Sequence, residues 1–165
     1  MAAPALAAHM AGVLTAGPDE LIEGRALASE IVNDGWRRYT GRDDIPRIDA
    51  RRAGANLAAI AGSGGLTFFA HYATDTAGHR GGMPGGIAAL ERVDRFLGGL
   101  LAALPAHALL LIASDHGNLE DIEAGHTRNP ALGLAVGPAA RLTRLPPLVG
   151  LTDLAPAILG ALGGD

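Results

Sequence analysis

The sequence contains no cysteine and no lysine. Without cysteine there is no disulfide, no thiolate metal site and no thiol nucleophile. Any metal must then be held by His, Asp or Glu, donors that suit manganese, magnesium or zinc better than the softer metals. Without lysine there is no Schiff base and no lysine-dependent phosphate loop; all 13 cationic residues are arginine. Positive charge is not in excess either. The formal net charge is −4, which gives no basic footprint and argues against nucleic acid as a partner. The first 18 residues are uncharged and so lack the positive n-region of a signal peptide. The uncharged run 96–114 is broken by Pro105 and changes from a helical to a strand period there, as expected of two core elements and not of a membrane span. These absences predict a cytoplasmic chain with no membrane partner.

What is present is an apolar chain of one-domain length, 165 residues with 48% hydrophobic side chains, enough to bury a core. Pro18, Asp19 and Glu20 predict a helix start, with Leu21, Ile22, Ile31, Val32 and Trp36 on one face and an end near Gly41. After the polar connector "GRDDIPRIDARR", Asp49 is placed to cap a short helix carrying Leu57 and Ile60 and stopped by "GSGG". That glycine run precedes a strand instead of opening a helix, so it reads as a turn and not as a phosphate loop. "LTFFAHY" (66–72) predicts a buried strand and "TDTAGHRGG" a loop. Pro84 opens a helix with Ile87, Leu90, Val93, Leu97, Leu100, Leu101 and Leu104 at spacings of three and four, closed by Pro105. Its Asp94 is assigned a structural role. "HALLLIA" and "ALGLAVG" (131–137) predict two further strands, and Thr152 starts a last helix. Apolar strands alternating with helices imply a parallel sheet covered on both faces.

In such sheets ligands sit beyond the carboxyl ends of the strands. Asp75 and His79 follow the first predicted strand, Asp115 and His116 the second, and His126 precedes the third, so five candidate metal ligands fall on one rim. His9 and His107 are assigned structural roles, His71 a packed or hydrogen-bonded one, and Glu120, Asp121 and Glu123 a solvated loop. Arg80 and Arg128 flank ligands and could bind a substrate phosphate bidentately. Asn118 either orients its loop or contacts substrate.

The pieces "TDTAGHR", "ALERVDRFLGGLL", "ASDHGNLE", "GHTRNP" and "LTDLAPAILGALG" occur in this order across residues 66–162. Together they resemble the C-terminal motifs of the alkaline phosphatase-like metalloenzyme superfamily, in particular cofactor-independent phosphoglycerate mutases and phosphopentomutases. The resemblance implies a three-layer α/β/α fold with a mostly parallel sheet, of which this chain supplies a part. It implies two divalent cations (Mn, Zn or Mg) at the strand ends, with Asp75, His79 and His126 holding one. Asp115 and His116 belong to the other, Asp115 as a ligand or a bridging group. The family's second site also uses an early aspartate and a Ser or Thr nucleophile, and neither is identified in this sequence. Thr15, Ser29 and Ser63 are the upstream hydroxyls to consider, and none matches a family motif.

The expectation is therefore one domain over 1–165, with a helical segment over 1–50 and a motif-bearing core over 66–162. The expected activity is metal-dependent phosphoryl transfer or phosphate-ester hydrolysis on a phosphorylated small molecule. The alternative is a non-catalytic metal-binding remnant or partner subunit that binds one cation. A C-terminal portion of a larger enzyme would leave an unpaired sheet edge and exposed apolar surface. Either a homo-oligomer or association with a separate N-terminal half would cover them.

Overall fold

The computed structural model describes residues 3–13 and 16–163; Thr15 lies outside them. Its centre is the crossing of two helices, α4 (Ala50–Ala61) and α6 (Gly82–Ala103). The Asp49 side chain caps α4 by accepting from the Arg52 N–H at 3.0 Å, and Gly62 follows its last residue, as the sequence predicts. The face that α4 presents is made of Ala50, Ala53, Gly54 and Ala58, all buried. Small residues let the two backbones touch. A Cβ on Gly54 would overlap the Phe96 carbonyl oxygen and lie 2.5 Å from the Leu100 nitrogen, and one on Gly99 would overlap the Arg51 carbonyl. Phe96 and Leu100 fill the space beside the crossing with Ile31, and Phe69 packs on Phe96 with ring centroids 5.3 Å apart.

After a first helix, α1 (Ala3–Met10), the single helical face expected over 18–41 is broken into α2 (Pro18–Ile22) and α3 (Asp34–Thr40). Gly24, at φ 72°, turns the chain out of α2, a conformation that glycine adopts without steric penalty. Ile31 also sits in the left-handed region, at φ 75°, and is buried against the α4–α6 core. Burial of a branched side chain there outweighs a local strain of order 1–3 kcal/mol.

The sheet departs most from expectation. Among the described residues it has two strands, β1 (Leu110–Ala113) and β2 (Gly133–Val136), paired antiparallel with Leu110 opposite Val136 and Ala113 opposite Gly133. The chain is α/β, but a mostly parallel three-layer sheet is not what these residues form. A parallel return needs a crossover of a dozen or more residues, usually a helix. Residues 114–132 instead form a folded loop with one 3₁₀ turn (Leu119–Asp121), pinched by a bridge between Gly117 and Thr127. Residues 66–72, expected as a buried strand, form no regular secondary structure and have no ladder partner, and Leu66 and Phe68 are exposed. A strand exists only where a neighbour takes its backbone donors and acceptors. The β1 and β2 side chains are at best half-buried. His9 and His107, expected as structural, are both exposed.

Two more helices bear on the site or close the chain. The predicted loop after residue 72 is a helix, α5 (Ala73–Arg80), leading through Gly81 into α6. After β2 come a short helix, α7 (Ala139–Leu142), and a 3₁₀ turn (Leu151–Asp153) that runs into α8 (Leu154–Gly163). No described helix is long and apolar enough to cross a membrane.

Candidate metal centre

Asp75 and His79 are four residues apart on α5, so the helix turns both side chains to one face. Opposite that face lies the loop 114–129, which leaves β1 and carries His116 and His126. The result is a cluster around one carboxylate oxygen. Asp75 Oδ1 lies 3.1 Å from His126 Nε2, 3.3 Å from His79 Nε2 and 3.9 Å from His116 Nε2. The Nε2 atoms of His79 and His126 are 2.8 Å apart. Asp75, His79 and His126 each offer a ligand atom, and these atoms lie within 4.8 Å of one another.

The fifth predicted ligand is joined to the others through His116, whose Nε2 lies 3.6 Å from Asp115 Oδ1. The His116 ring stacks on that of His126 with centroids 3.7 Å apart. The fold therefore brings all five residues into one neighbourhood, and His116 stands between the two groups instead of apart from the first. His116 Nδ1 sits 3.2 Å from the Gly117 carbonyl, an acceptor; a proton held there would free the Nε2 lone pair for a cation. Two imidazole nitrogens and a carboxylate oxygen aimed at a common point are a donor set that fits a divalent cation such as Mn²⁺ or Zn²⁺. His79 and His126 are exposed and Asp75 half-buried, so the cluster opens to solvent.

The loop is held by a residue read from the sequence as merely solvated. The Glu120 carboxylate accepts from the Thr127 hydroxyl, from Asn129 Nδ2 at 3.2 Å and from the Asn118 N–H at 2.7 Å. The Thr127 N–H in turn donates to the Gly117 carbonyl at 2.9 Å. These bonds, the Thr127 hydroxyl foremost, draw the Glu120 pKa down to about 2. The carboxylate thus ties the His116 arm of the loop to the His126 arm. Glu120 stands two residues after Asn118 and seven before Thr127, a spacing that carries no sequence signal without the loop's shape.

The predicted substrate contacts are scattered. Arg80 lines a separate cleft of about 510 Å³ on the flank of α5 away from the cluster, with Arg92, Tyr72, Thr76, Ser29 and Glu30. Arg128 is exposed beside the His126 arm. Asn118 is buried beneath α5. His71 Nδ1 lies 2.7 Å from the Ser29 carbonyl, the hydrogen-bonded role expected of it, and burial pushes its pKa below the usual imidazole range. Of the upstream hydroxyls, Ser63 donates to the Ile60 carbonyl at the end of α4, at 2.8 Å. Among the described residues no serine or threonine hydroxyl bonds to the side chains of the cluster.

The metalloenzyme superfamily model matches residues 52–165. The chain is 39% identical over 147 residues to a phosphopentomutase of Methylobacterium sp. (strain 4-46), covering 85% of this chain and 36% of that protein. It is 35% identical over 155 residues to a 2,3-bisphosphoglycerate-independent phosphoglycerate mutase of Halobacterium salinarum, covering 82% of this chain and 30% of that protein. A mutase of the same description from Rhodopseudomonas palustris is 42% identical over 94 residues, which is 52% of this chain and 18% of that protein. The chain thus spans about a third of the length of the first two relatives. No solved structure matches it. The whole cluster falls inside the matched stretch, and the chain belongs to the metalloenzyme superfamily.

Proposed function

We propose that this chain is the metal-binding part of a phosphomutase-like enzyme that handles a phosphorylated small molecule, with Asp75, His79 and His126 as the ligands of one divalent cation. The observation that carries the reading is the convergence of those three side chains, from α5 and a loop 51 residues away, on one point. Asp115 and His116 are the chain's contribution to a second cation. A bound cation would supply Lewis acidity toward a phosphoryl oxygen. The protein's own part is to present the donors on a helix and a clamped loop, so that little rearrangement is needed when the ion arrives. Arg128, two residues beyond His126 and exposed on the same arm of the loop, is the candidate for holding phosphate oxygens, whereas Arg80 faces its own cleft.

A second reading, a metal-binding part that is not catalytic alone, is favoured because, among the described residues, no serine or threonine hydroxyl bonds to the side chains of the cluster. One experiment separates the two. The chain is dialysed against a weak chelator, its metal content is measured, and Mn²⁺-dependent turnover of a phosphate ester is assayed for the wild type and for His126→Ala. Metal-dependent turnover that disappears in His126→Ala supports the enzyme. Stoichiometric metal without turnover supports the binding part. No retained metal and no turnover would sink both.

A further inference from the structure

Beneath α5 a side-chain amide is only half satisfied. Asn118 is 6% exposed, and its Oδ1 is buried with no hydrogen-bond partner. Its Nδ2 faces Asp75 Oδ1 at 3.5 Å, the oxygen on which the three imidazoles converge. The carboxylate fixes which way the amide points, because the flipped orientation would set oxygen against oxygen. The unpartnered Oδ1 is pressed against Gly78, the buried residue of α5 between Asp75 and His79. A Cβ on Gly78 would overlap Oδ1 and lie 2.6 Å from Cγ of Asn118. Only a hydrogen fits at that point.

A buried acceptor left without a partner destabilises a fold. An asparagine kept only for packing would do better as an apolar side chain of the same shape. We infer that Asn118 is a positioning residue: it steadies the Asp75 carboxylate from below so that the other side of Oδ1 meets the histidines, and Gly78 is the notch in α5 that admits it. The assignment moves Asn118 away from substrate contact, since a side chain roofed by α5 does not reach a ligand in solvent. It deepens the metal-centre reading and rests on it. Partners that orient a metal-binding carboxylate typically matter by about 10–100-fold in metal affinity.

The test is calorimetric titration of the full chain with Mn²⁺ alone, beside thermal melts without metal, for three proteins. They are the wild type, Asn118→Leu, which keeps the branched shape, and the double variant Gly78→Ala with Asn118→Ala, in which the new methyl fills the notch. The expected result is a split. Both variants melt at or near the wild-type temperature, because an unsatisfied acceptor has been removed, yet bind Mn²⁺ about tenfold more weakly or worse. A role in packing alone would not produce that split. If either folded variant binds as tightly as the wild type, Asn118 does not position the ligand. If the wild type itself takes up no Mn²⁺, the metal-centre reading fails, and this inference falls with it. Should Asn118→Leu fail to fold, the double variant decides the question.

Discussion

Glu120 is exposed and two residues away from any residue that faces the cluster, yet three donors from both arms of the loop end on its carboxylate. Its lowered pKa gives the pH sense of this clamp. A carboxyl held ionised down to about 2, against an ordinary value of 4.5, supports the folded loop fully above the ordinary value and loses that support only as pH falls toward 2. Near neutral pH the clamp is therefore constant, and substitution is the way to probe it. Glu120→Ala removes the acceptor shared by Thr127, Asn129 and the Asn118 N–H. We expect Mn²⁺ affinity to fall several-fold, with faster amide exchange at residues 126–129 and an unchanged melting temperature, since the α4–α6 core is not involved. Unchanged exchange across that arm would show that Glu120 does not restrain it.

At the scale of elements, the contact that matters most is the crossing of α4 and α6. It is built from Gly54 and Gly99 as much as from Phe96 and Leu100, because each glycine lets a backbone carbonyl of the other helix come where a Cβ would stand. Overpacked cores lose about 1–3 kcal/mol, and here the obstruction is backbone, which cannot rotate aside. Gly54→Val should therefore lie near the upper end, lowering the melting temperature by roughly 6–12 °C in a chain of this size, as scanning calorimetry would show. Gly85, beside which no atom lies within reach of an added Cβ, is the control: Gly85→Ala should leave the melt within a degree or two or raise it, since alanine favours the interior of α6. A Gly54→Val melt equal to that of Gly85→Ala would mean that the helices do not cross this closely.

For the molecule as a whole the consequence lies in what stays uncovered. Leu132, Leu134, Val149, Leu151 and Leu159 are large, apolar and exposed, and the two-stranded pair has no fully buried side chain. Apolar surface of this kind marks a place of association or of aggregation, and open strand edges add to it. The expected outcome is self-association that grows with protein concentration in sedimentation velocity, reduced by Leu134→Glu on β2. A monomer at every concentration would set that expectation aside.

The sequence by itself singled out the residues that the fold gathers into the candidate site and the helices that punctuation makes certain. Asp49 before an alanine-rich segment and Gly62 after it mark α4; Pro84, the third residue of α6, and Pro105, two residues beyond its end, mark that helix. Asp75, His79, Asp115, His116 and His126 are recognisable because metal chemistry restricts residue types and their order survives without knowledge of shape. What only the tertiary structure decided is whatever depends on a neighbour distant in sequence. Residues 66–72 have the composition of a strand, but composition supplies no ladder partner. "TDTAGHR" reads as a loop and is the body of the helix α5, since the polar residues around the candidate site also break the apolar period by which helices are read. Glu120 reads from the sequence as solvated loop polarity and Asn118 as orienting its loop or contacting substrate; their actual partners are visible only in the fold. A side chain's type is written locally, whereas the groups that satisfy its hydrogen bonds arrive from elsewhere in the chain, 43 residues away in the case of Asn118 and Asp75.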